Sequence, residues 1–368
     1  MPELKGLRIC FIAGTLGQGG AERQLYYTLR VLVERGAKPI VLCLTRSEYW
    51  ESRITALGVP VLSVGGSRST LARLLRITGA VRASRAVIVQ SQHFYTNLYS
   101  LSAARALGIR EVGAIRSDVA NELAANSGPT GWMMLRAPKA IAVNSTNAIE
   151  NAVALGAKRE RLHFLPNVVD VDAFCCHRQR AEGTIRLLAV GRLGRVKRFD
   201  RFVRLLSNLR ERTSLRVVGS IVGDGPTREE LRREAERLRL DEDVCRFDGS
   251  IDDMAPRYAS ADILVLTSDH EGTPNVVIEA MASGLPVIAT RVGGLPEIVK
   301  DNETGILVDP DDEEGLARAT LGLTCNSRLR EQYGAAGRRL VETQHGLTRL
   351  ADSLEGLYEK VLNPRWRH

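Results

Sequence analysis

Short apolar runs alternate with segments of helical periodicity along this chain, and this alternation restricts the possible fold more than any other sequence feature. Each run is a few residues long, and the segment after it repeats apolar residues every three or four positions. Strands that are apolar on both faces and alternate with helices form parallel sheets covered on both sides. The first half of the chain contains seven predicted strands: residues 7–13, 39–44, 61–64, 86–90, 111–115, 140–143 and 162–165.

The same pattern restarts after an interruption at residues 174–183, which have no periodicity and end in glycine. The second series contains six predicted strands: residues 185–190, 215–222, 244–247, 263–267, 286–290 and 305–308. We therefore expect an α/β protein with two Rossmann-like, doubly wound domains facing a central cleft, where the carboxyl ends of such strands bind ligands. The predicted divisions are a first domain at 1–174, a linker at 175–183, a second domain at 184–346 and a terminal helical segment at 347–368.

The positive charge of the chain is unevenly distributed. The 368 residues include 51 lysines and arginines and 43 aspartates and glutamates, a formal net charge of +8. Residues 1–183 carry a surplus of +10 and the remainder a net of −2. Two explanations are open: an arginine-rich composition without a function, or attraction of the first domain to an anionic membrane or acceptor. Nucleic acid is not an expected partner, because aromatic residues, which form stacking platforms, make up only 5%.

Composition also limits the location and the redox chemistry. No apolar run approaches the ~20 residues that span a bilayer, and the first residues lack the apolar segment of a secretion signal. We expect a cytoplasmic protein, with peripheral contact at the inner face of the cell membrane if the basic surplus is functional. Cys10, Cys43 and Cys245 lie in apolar runs without C-x-x-C spacing, so buried thiols are expected rather than disulfides or zinc ligands.

The strongest candidate site lies in residues 268–282, directly after a predicted strand. Pro274 suits the first turn of a helix and Thr273 is a good N-cap, so backbone amides at this terminus are expected to bind a phosphate. Glu271 precedes the helix and Glu279 lies eight residues later, which would place one carboxylate on each side of a diphosphate. That arrangement suits a nucleotide sugar. The alternative is an acidic helix cap followed by a solvated glutamate.

A second candidate site follows the strand predicted at 185–190. Arg192 can bind a phosphate through two hydrogen bonds, and Lys197 can add a point charge. Fixed cations there would stabilise the charge that develops on a leaving diphosphate. Arg195 and Arg198 lie nearby and are expected to be solvated.

These motifs together resemble the retaining glycosyltransferases of family four, the "glycosyl transferases group 1" type, which have the GT-B fold. The resemblance covers nearly the whole second half of the chain and is weaker in the first half. Its motifs are Glu271-x7-Glu279, Gly191-Arg192 with Lys197, Pro166-Asn167-Val168-Val169-Asp170, Gly223-Asp224-Gly225-Pro226, and the tracts at 282–290, 293–299 and 302–308.

The resemblance implies roles for the motif residues. The donor diphosphate would be bound by Arg192 and Lys197, the transferred sugar by Glu271 and the nucleotide ribose by Glu279. The remaining donor-binding residues would be Gly272, Thr273, Pro274, Asn275 and Val276 at the distal phosphate and sugar, with Gly223 and Ile251 near the base. The terminal helix would pack on the first domain.

The glycine-rich loop at 14–23 has two interpretations. In the resemblance, Gly19 and Gly20 let the backbone approach the donor phosphate or the acceptor. The same glycines could belong to a dinucleotide-binding fingerprint of a dehydrogenase. The second strand ends at Thr45-Arg46 without the acidic residue that would bind a ribose, which disfavours the dehydrogenase.

Residues of the first domain are expected near the sugar and the acceptor. The family often has a histidine after the strand at 86–90, and His93 is the catalytic candidate, although Gln92 or Tyr95 can occupy the same place. A lone loop histidine is otherwise more often structural. The acceptor-side candidates are Arg23, Tyr95, Asn97, Arg116 and Asp118, for which ordinary surface roles are equally open.

No metal ion or other cofactor is expected. Asp170-Val171-Asp172 belongs to the interdomain motif, and Asp309-Pro310-Asp311 has the pattern of a helix start. Arg192 and Lys197 can neutralise a diphosphate without a cation.

The sequence thus predicts a retaining, metal-independent hexosyltransferase that uses a UDP- or GDP-linked sugar and a carbohydrate or lipid-linked acceptor. Such a reaction would serve the synthesis of surface polysaccharide, exopolysaccharide or glycolipid. Two alternatives share the fold: a non-catalytic nucleotide-sugar-binding protein, and a nucleotide-sugar epimerase.

Overall fold

The structure is a computed structural model that describes residues 4–66, 69–126, 128–174 and 183–363. The chain divides into two compact units. The first contains the described residues up to Val168 and those from Leu347 onward, and the second is Val169–Gly346. Except for Gly183, the predicted linker at 175–183 lies outside the described residues.

The first unit contains a sheet of parallel strands that are apolar and largely buried. Its strands are β1 (Arg8–Ala13), β2 (Lys38–Cys43), β3 (Val61–Ser63), β4 (Ile88–Ser91), β5 (Arg110–Ile115), β6 (Ile141–Val143) and β7 (Leu162–Phe164). They lie in the order β3-β2-β1-β4-β5-β6-β7. Every strand predicted for this half is present within two residues of its expected bounds.

Helices cover both faces of this sheet. They are α1 (Gly20–Glu34), α2 (Glu51–Ala56), α3 (Thr70–Ser84), α4 (Asn97–Leu107), α5 (Val119–Ala125), α6 (Pro129–Arg136) and α7 (Thr146–Ala154). Side-chain caps fix the starts of several of them: Ser69 accepts from Ala72 N, Asp118 from Asn121 N and Ser145 from Ala148 N.

The second unit repeats this architecture. Its strands are β8 (Thr184–Val190), β9 (Arg216–Val222), β10 (Cys245–Gly249), β11 (Ile263–Leu266), β12 (Val287–Thr290) and β13 (Gly305–Val308), in the order β10-β9-β8-β11-β12-β13. Its helices are α8 (Phe199–Arg212), α9 (Arg228–Arg237), α10 (Ala255–Ser260), α11 (Asn275–Ala282), α12 (Leu295–Ile298), α13 (Glu313–Cys325) and α14 (Ser327–Gln344).

The terminal helix α15 (Leu347–Leu362) belongs to the first unit. Leu350, Leu354 and Leu357 are buried in the same hydrophobic core as Leu25 and Leu29 of α1. The Tyr358 hydroxyl on the same helix also donates to Gln90 Oε1 of β4 at 2.7 Å. An apolar stripe and one buried hydrogen bond therefore hold α15 in place.

The first unit ends before residue 174, the predicted boundary. Val169 N–H donates to the carbonyl of His345 at 2.8 Å, which ties it to the end of α14. Val169 and Phe174 are buried in a core of the second unit, where the Phe174 ring packs 5.8 Å from that of Tyr258. The apolar side chains after Val168 thus belong to the second unit, and the predicted boundary is too late.

Each sheet has one place where the strand order reverses, between β1 and β4 in the first and between β8 and β11 in the second. Ligands of doubly wound proteins bind beyond the carboxyl ends of the strands at such a place. The loops after these four strands are therefore where functional residues are expected.

No helix in the described ranges is both long and apolar enough to cross a bilayer. Cys10, Cys43 and Cys245 are free and buried, as expected from their apolar surroundings. Burial raises the pKa of Cys10 and of Cys245 to about 12, so these thiols stay neutral and pack as small apolar side chains.

Candidate functional site

The loops after β8 and β11 bring Lys197 and Glu271 together. Lys197 Nζ donates to Glu271 Oε1 at 2.6 Å, and Ser268 Oγ donates to the same oxygen at 2.6 Å. The Glu271 side chain is 7% exposed and that of Lys197 is 27% exposed. Two residues predicted from separate motifs therefore form one ion pair at the ligand-binding edge of the second sheet.

The remaining residues of the predicted diphosphate and base sites lie at the same edge. The Arg192 side chain is exposed and makes no hydrogen bond or ion pair within the described part of the chain. Gly223 follows β9, and its N–H donates to the carbonyl of Gly249 at 2.8 Å, which holds the turns after β9 and β10 side by side. Ile251 is half-buried just beyond Gly249.

A buried arginine that was not predicted ties the two loops together. Arg201 is 4% exposed, and its Nη1 donates to the carbonyl of Thr267 at 3.0 Å and to Asp269 Oδ1 at 2.6 Å. Asp269 N–H donates in turn to the carbonyl of Val196 at 2.8 Å. The position of Lys197 relative to Glu271 is therefore set by hydrogen bonds beneath them. The sequence signal for Arg201 is a charged residue on the apolar face of α8, beside Phe202.

Arg198 does not have the solvated role that was expected. Its Nε and Nη2 donate to the Asp200 carboxylate at 3.0 Å each, and its Nη1 lies 3.3 Å from Asp269 Oδ2. The hydrogen bond with Asp200, followed by that with Asp269, raises the pKa of Arg198 above its ordinary value. The expectation for Arg198 is wrong because two carboxylates fix its guanidinium, whereas Arg195 is exposed.

Helix α11 starts one residue later than the sequence suggested. Pro274 has an extended ψ of 116° and is the N-cap, so neither Pro274 in the first turn nor Thr273 as N-cap is correct. Gly272 and Thr273 lie in the loop, and Asn275 and Val276 begin the helix. The first amides of α11 still form the positive end of a helix at this edge.

Glu279 is in the fifth position of α11 and is 2% exposed. The hydroxyl of Tyr258, itself fully buried, donates to Glu279 Oε2 at 2.9 Å. Glu279 is therefore not the solvated glutamate of the alternative interpretation. A carboxylate can accept several hydrogen bonds, so the ribose role of Glu279 stays a prediction.

A glycine after β12 shapes the backbone at Glu271. Gly293 has φ +52, and a Cβ at this position would lie 1.7 Å from the carbonyl oxygen of Glu271. The neighbouring Gly294 N–H donates to the carbonyl of Gly272 at 3.2 Å. Only glycine fits this close approach without moving the Glu271 loop.

In the first unit, the structure places His93 at the ligand-binding edge and defines its tautomer. Gly14 N–H donates to His93 Nδ1 at 3.2 Å, so Nδ1 is an acceptor and the proton of the neutral ring is on Nε2. Nε2 lies 3.2 Å from Glu22 Oε1 and donates to it. The ring stacks on that of Tyr95, with 5.4 Å between centroids.

Glu22, which was not predicted, occupies the first turn of α1 and is 6% exposed. A Cβ on Gly19, the N-cap, would lie 2.2 Å from Glu22 Oε2, so a larger residue there would displace the Glu22 carboxylate. Gly20 begins the helix. Arg23 is half-buried, with its guanidinium 6.0 Å from the centre of the Trp50 ring. The glycine loop therefore positions a carboxylate against His93.

We expect Glu22→Ala to lower kcat by about 10-fold or more, because the His93 ring loses the acceptor that orients it. Glu22→Gln keeps an oxygen that can accept a hydrogen bond from Nε2–H and should retain most of the activity. Steady-state kinetics of donor turnover measure both variants. Equal activity of Glu22→Ala and the wild type would show that the contact does not matter.

A second unpredicted carboxylate, Glu48, holds the glycine loop. It accepts hydrogen bonds from Thr15 Oγ1 at 2.8 Å and Thr45 Oγ1 at 2.5 Å, and from the backbone N–H of Leu16. Burial alone would raise the pKa of Glu48, but the bonds from Thr45, Leu16 and Thr15 together outweigh it and lower the pKa below its ordinary value of 4.5.

The lowered pKa of Glu48 predicts a pH-dependent contribution to stability. The ionised form gains these bonds only in the folded state, so the contribution is complete above pH 4.5 and is lost as the pH falls through the folded-state value. The difference in unfolding free energy between wild type and Glu48→Gln should therefore shrink as the pH is lowered from 6 to below 4.5. Urea unfolding across this range measures it, with the exposed Glu160→Gln as a charge-matched control.

Of the three candidates after β4, Gln92 has a structural role. It is buried and donates to the carbonyl of Ala21 at 2.6 Å. Tyr95 is 38% exposed, and burial of its hydroxyl, followed by the charge of Glu22, raises the pKa of Tyr95 to about 12. His93 and Tyr95 therefore remain as the side chains of this loop at the ligand-binding edge.

Asn97 is not an acceptor-side residue. It is fully buried, its Nδ2 donates to the carbonyl of Ala114 at 3.2 Å, and its Oδ1 accepts from Ala114 N–H at 2.8 Å. The side chain thus binds the backbone of β5. The prediction is wrong because the start of α4 turns Asn97 toward the sheet rather than toward its edge.

Arg116 and Asp118 follow β5. Arg116 Nη1 donates to the carbonyl of Leu165 at 3.3 Å, and burial lowers the pKa of Arg116 to about 10. Asp118 caps α5 through Asn121 N–H at 2.9 Å. Both residues therefore have structural partners, and their roles toward an acceptor stay predictions.

In the described ranges, no group of three or more His, Cys, Asp or Glu side chains is arranged to hold a metal ion. Asp311 pairs with Arg201 at 3.1 Å, Asp309 lies 3.8 Å from Arg291, and Asp312 caps α13. These acids therefore have structural roles at the start of α13. Metal independence of the reaction stays a prediction.

Family models match both units. Residues 18–173 match "Glycosyltransferase Family 4" and residues 184–326 match "Glycosyl transferases group 1". A GDP-mannose-dependent alpha-mannosyltransferase from Mycolicibacterium smegmatis is 33% identical over 282 residues, which are 72% of this chain and 71% of the relative. An N-acetyl-alpha-D-glucosaminyl L-malate synthase from Bacillus anthracis is 30% identical over 48% of this chain and 45% of its own length. Several relatives, this synthase included, are thus matched over less than half of their length.

Solved structures show the same fold. The Anabaena protein HepE in complex with UDP and glucose superposes with a TM-score of 0.83 and 16% identity, covering 96% of this chain and 100% of that one. A sucrose-phosphate synthase from Thermosynechococcus elongatus gives a TM-score of 0.81 and 20% identity, covering 96% and 98%. Both chains have the two-domain α/β architecture expected from the sequence.

Proposed function

Because the chain belongs to glycosyltransferase family 4 and has the GT-B fold, we propose that it transfers a hexose from a nucleoside diphosphate sugar to a carbohydrate or lipid-linked acceptor. We infer further that the anomeric configuration is retained and that no metal ion is required. The observation that carries the proposal is the ion pair of Lys197 and Glu271, 2.6 Å apart, at the switch point of the second sheet.

On the donor side, Lys197 and the exposed Arg192 would bind the diphosphate. Charge accumulates on this group as its bond to the sugar breaks, and fixed cations stabilise the transition state more than the ground state. Lys197 is already oriented by Glu271, so little reorganisation is needed. The start of α11 would add backbone N–H groups to the distal phosphate.

Glu271 would also accept hydrogen bonds from hydroxyls of the transferred sugar. One of its oxygens binds Lys197 and Ser268, and the other accepts no hydrogen bond from the described residues. One ion pair thus holds together Lys197, which would bind the phosphate, and Glu271, which would accept hydrogen bonds from the sugar. This geometry favours a nucleotide sugar over a plain nucleotide.

In the first unit, His93 and Glu22 would bind hydroxyls of the sugar or the acceptor. In the proposed reaction, the acceptor oxygen attacks the anomeric carbon on the face from which the phosphate leaves. The bond from that carbon to the phosphate oxygen breaks, the new glycosidic bond forms, and the acceptor proton passes to the phosphate. The protein would contribute orientation and electrostatic stabilisation rather than a covalent intermediate.

A thermal-shift screen with UDP-, GDP- and ADP-linked sugars tests donor binding. HepE was solved with UDP and glucose and the mannosyltransferase is named for GDP-mannose, so UDP- and GDP-sugars are the first choices. A donor at 100 times its dissociation constant stabilises the folded state by about 2.7 kcal/mol, which raises Tm by several degrees. Absence of a shift with every donor would contradict the proposal.

Two further measurements address the chemistry. Proton NMR of a product made with an acceptor panel gives the anomeric configuration, and retention is expected. Turnover that is unchanged in excess EDTA supports metal independence, whereas loss of turnover that is restored by a divalent cation would overturn it.

A further inference from the structure

The basic surplus of the first unit is concentrated in one stretch of sequence. The 59 residues between Glu51 and Glu111 contain eight arginines and no lysine, aspartate or glutamate. Helix α3 lies within this stretch and carries Arg73, Arg76 and Arg82. Because the stretch contains no acidic side chain, its surface has a local positive charge that the net charge of +8 understates.

Helix α3 carries exposed apolar residues on its outer face in addition to the buried ones on its inner face. Ile77 and Val81 are buried in the core beneath it, whereas Leu71 and Leu75 are each 67% exposed. Spacings of four and seven residues place Leu71, Leu75 and Arg82 on one outward stripe. Packing against the core explains why Ile77 and Val81 are apolar. It does not explain why the exposed Leu71 and Leu75 are apolar.

Two of the three arginines on α3 are available to a partner. Arg73 Nη1 donates to the hydroxyl of Tyr99 at 2.8 Å and so contributes to packing against α4. The side chains of Arg76 and Arg82 are exposed, and their guanidinium groups make no hydrogen bond or ion pair within the ranges that the structure describes. Exposed leucines beside unpaired arginines are typical of helices that lie in the interface of a bilayer.

We propose that this face of α3, defined by Leu71, Leu75, Arg76 and Arg82, docks the protein on a bilayer that contains anionic phospholipids. The leucines would enter the boundary between headgroups and acyl chains, and the arginines would contact lipid phosphates. A second copy is a poorer partner, because a two-fold contact of this face brings arginines close to arginines. A nucleic acid would pair with the arginines but would give the leucines no apolar contact.

Co-sedimentation of the purified full-length chain with lipid vesicles tests the proposal. Binding is expected to vesicles of phosphatidylcholine mixed with phosphatidylglycerol, to be weak with phosphatidylcholine alone, and to fall as the salt concentration rises. Leu71→Ser/Leu75→Ser and Arg76→Gln/Arg82→Gln should each weaken binding roughly tenfold or more. All of these positions are exposed, so circular dichroism should show an unchanged fold.

Matched controls remove the same groups elsewhere. Arg328→Gln/Arg339→Gln removes two exposed arginines from α14, and Leu215→Ser removes an exposed leucine of the second unit. Both controls are expected to bind vesicles like the wild type. Equal losses in the control and the α3 arginine variants would show that only net charge matters, and would overturn the assignment to this face.

Three other outcomes would also overturn the proposal. The first is failure of the wild type to bind anionic vesicles at low salt. The second is binding to a generic RNA, without vesicle binding, that Leu71→Ser/Leu75→Ser leaves unchanged. The third is self-association, measured by analytical ultracentrifugation, that the α3 variants abolish while vesicle binding is absent. The test needs no donor or acceptor and does not depend on the proposed transferase activity.

Discussion

Lys197→Ala and Glu271→Ala are each expected to lower kcat by about 10²–10³-fold while the fold is retained. Lys197 is the cation expected at the leaving diphosphate, and Glu271 both orients it at 2.6 Å and binds the sugar. Donor turnover, followed as free nucleotide, gives kcat and KM for each variant. Arg195→Ala is the matched control because Arg195 is an exposed cation of the same loop, and its activity should stay within a few-fold of the wild type.

The double variant separates a shared role from two independent ones. If the ammonium and the carboxylate act as a unit, Lys197→Ala/Glu271→Ala should be hardly slower than the poorer single variant. Loss of one partner alone leaves the other charge without its ion pair. Losses that multiply in the double variant would contradict a common role.

Arg201→Met is expected to destabilise the second unit by about 3 kcal/mol, the largest effect on stability that we predict. The buried guanidinium holds the carbonyl of Thr267 and the carboxylate of Asp269, and the substitution leaves both without this donor. Hydrogen exchange of the β8 and β11 amides reports on this unit by itself. Because the loops of Lys197 and Glu271 are joined through Asp269, kcat should fall as well.

Arg204→Met, one turn further along α8, provides the control for Arg201. Arg204 is 32% exposed and pairs with Asp200 and Glu313 at the surface. Exposed ion pairs contribute about 0–1 kcal/mol. A loss of stability in Arg204→Met as large as in Arg201→Met would show that burial of the Arg201 contacts is not what matters.

The strands were predictable from sequence because most are short apolar runs. The central ones, such as β1, β4, β11 and β12, are buried on both faces, and this pattern does not depend on distant contacts. The strand order places the loops of Lys197 and Glu271 side by side, so the sequence could also predict that these two residues share one site. The start of α11 was displaced by one residue because Pro274 fits an N-cap as well as a first turn. The first domain was extended too far because the side chains of Val169 and Phe174 do not indicate which of two cores they join.

The supporting polar residues could not be found in the same way. Glu22, Glu48 and Arg201 owe their roles to partners far away in sequence, such as His93 for Glu22 and Thr15 for Glu48. A carboxylate in the first turn of a helix has the same local pattern whether it caps the helix or orients a histidine. Asn97 was misassigned for a related reason, since its polar side chain satisfies the backbone of β5 inside the unit.

The most direct test of the account is nucleotide release by the purified protein from UDP-, GDP- and ADP-linked sugars in the presence of EDTA. We expect the wild type to release the nucleotide of at least one donor. We also expect Glu271→Ala, verified as folded, to release it at least about 100-fold more slowly. Turnover of Glu271→Ala at the wild-type rate, or no turnover of any donor by the wild type, would contradict the central claim that Lys197 and Glu271 form the donor site of a glycosyltransferase.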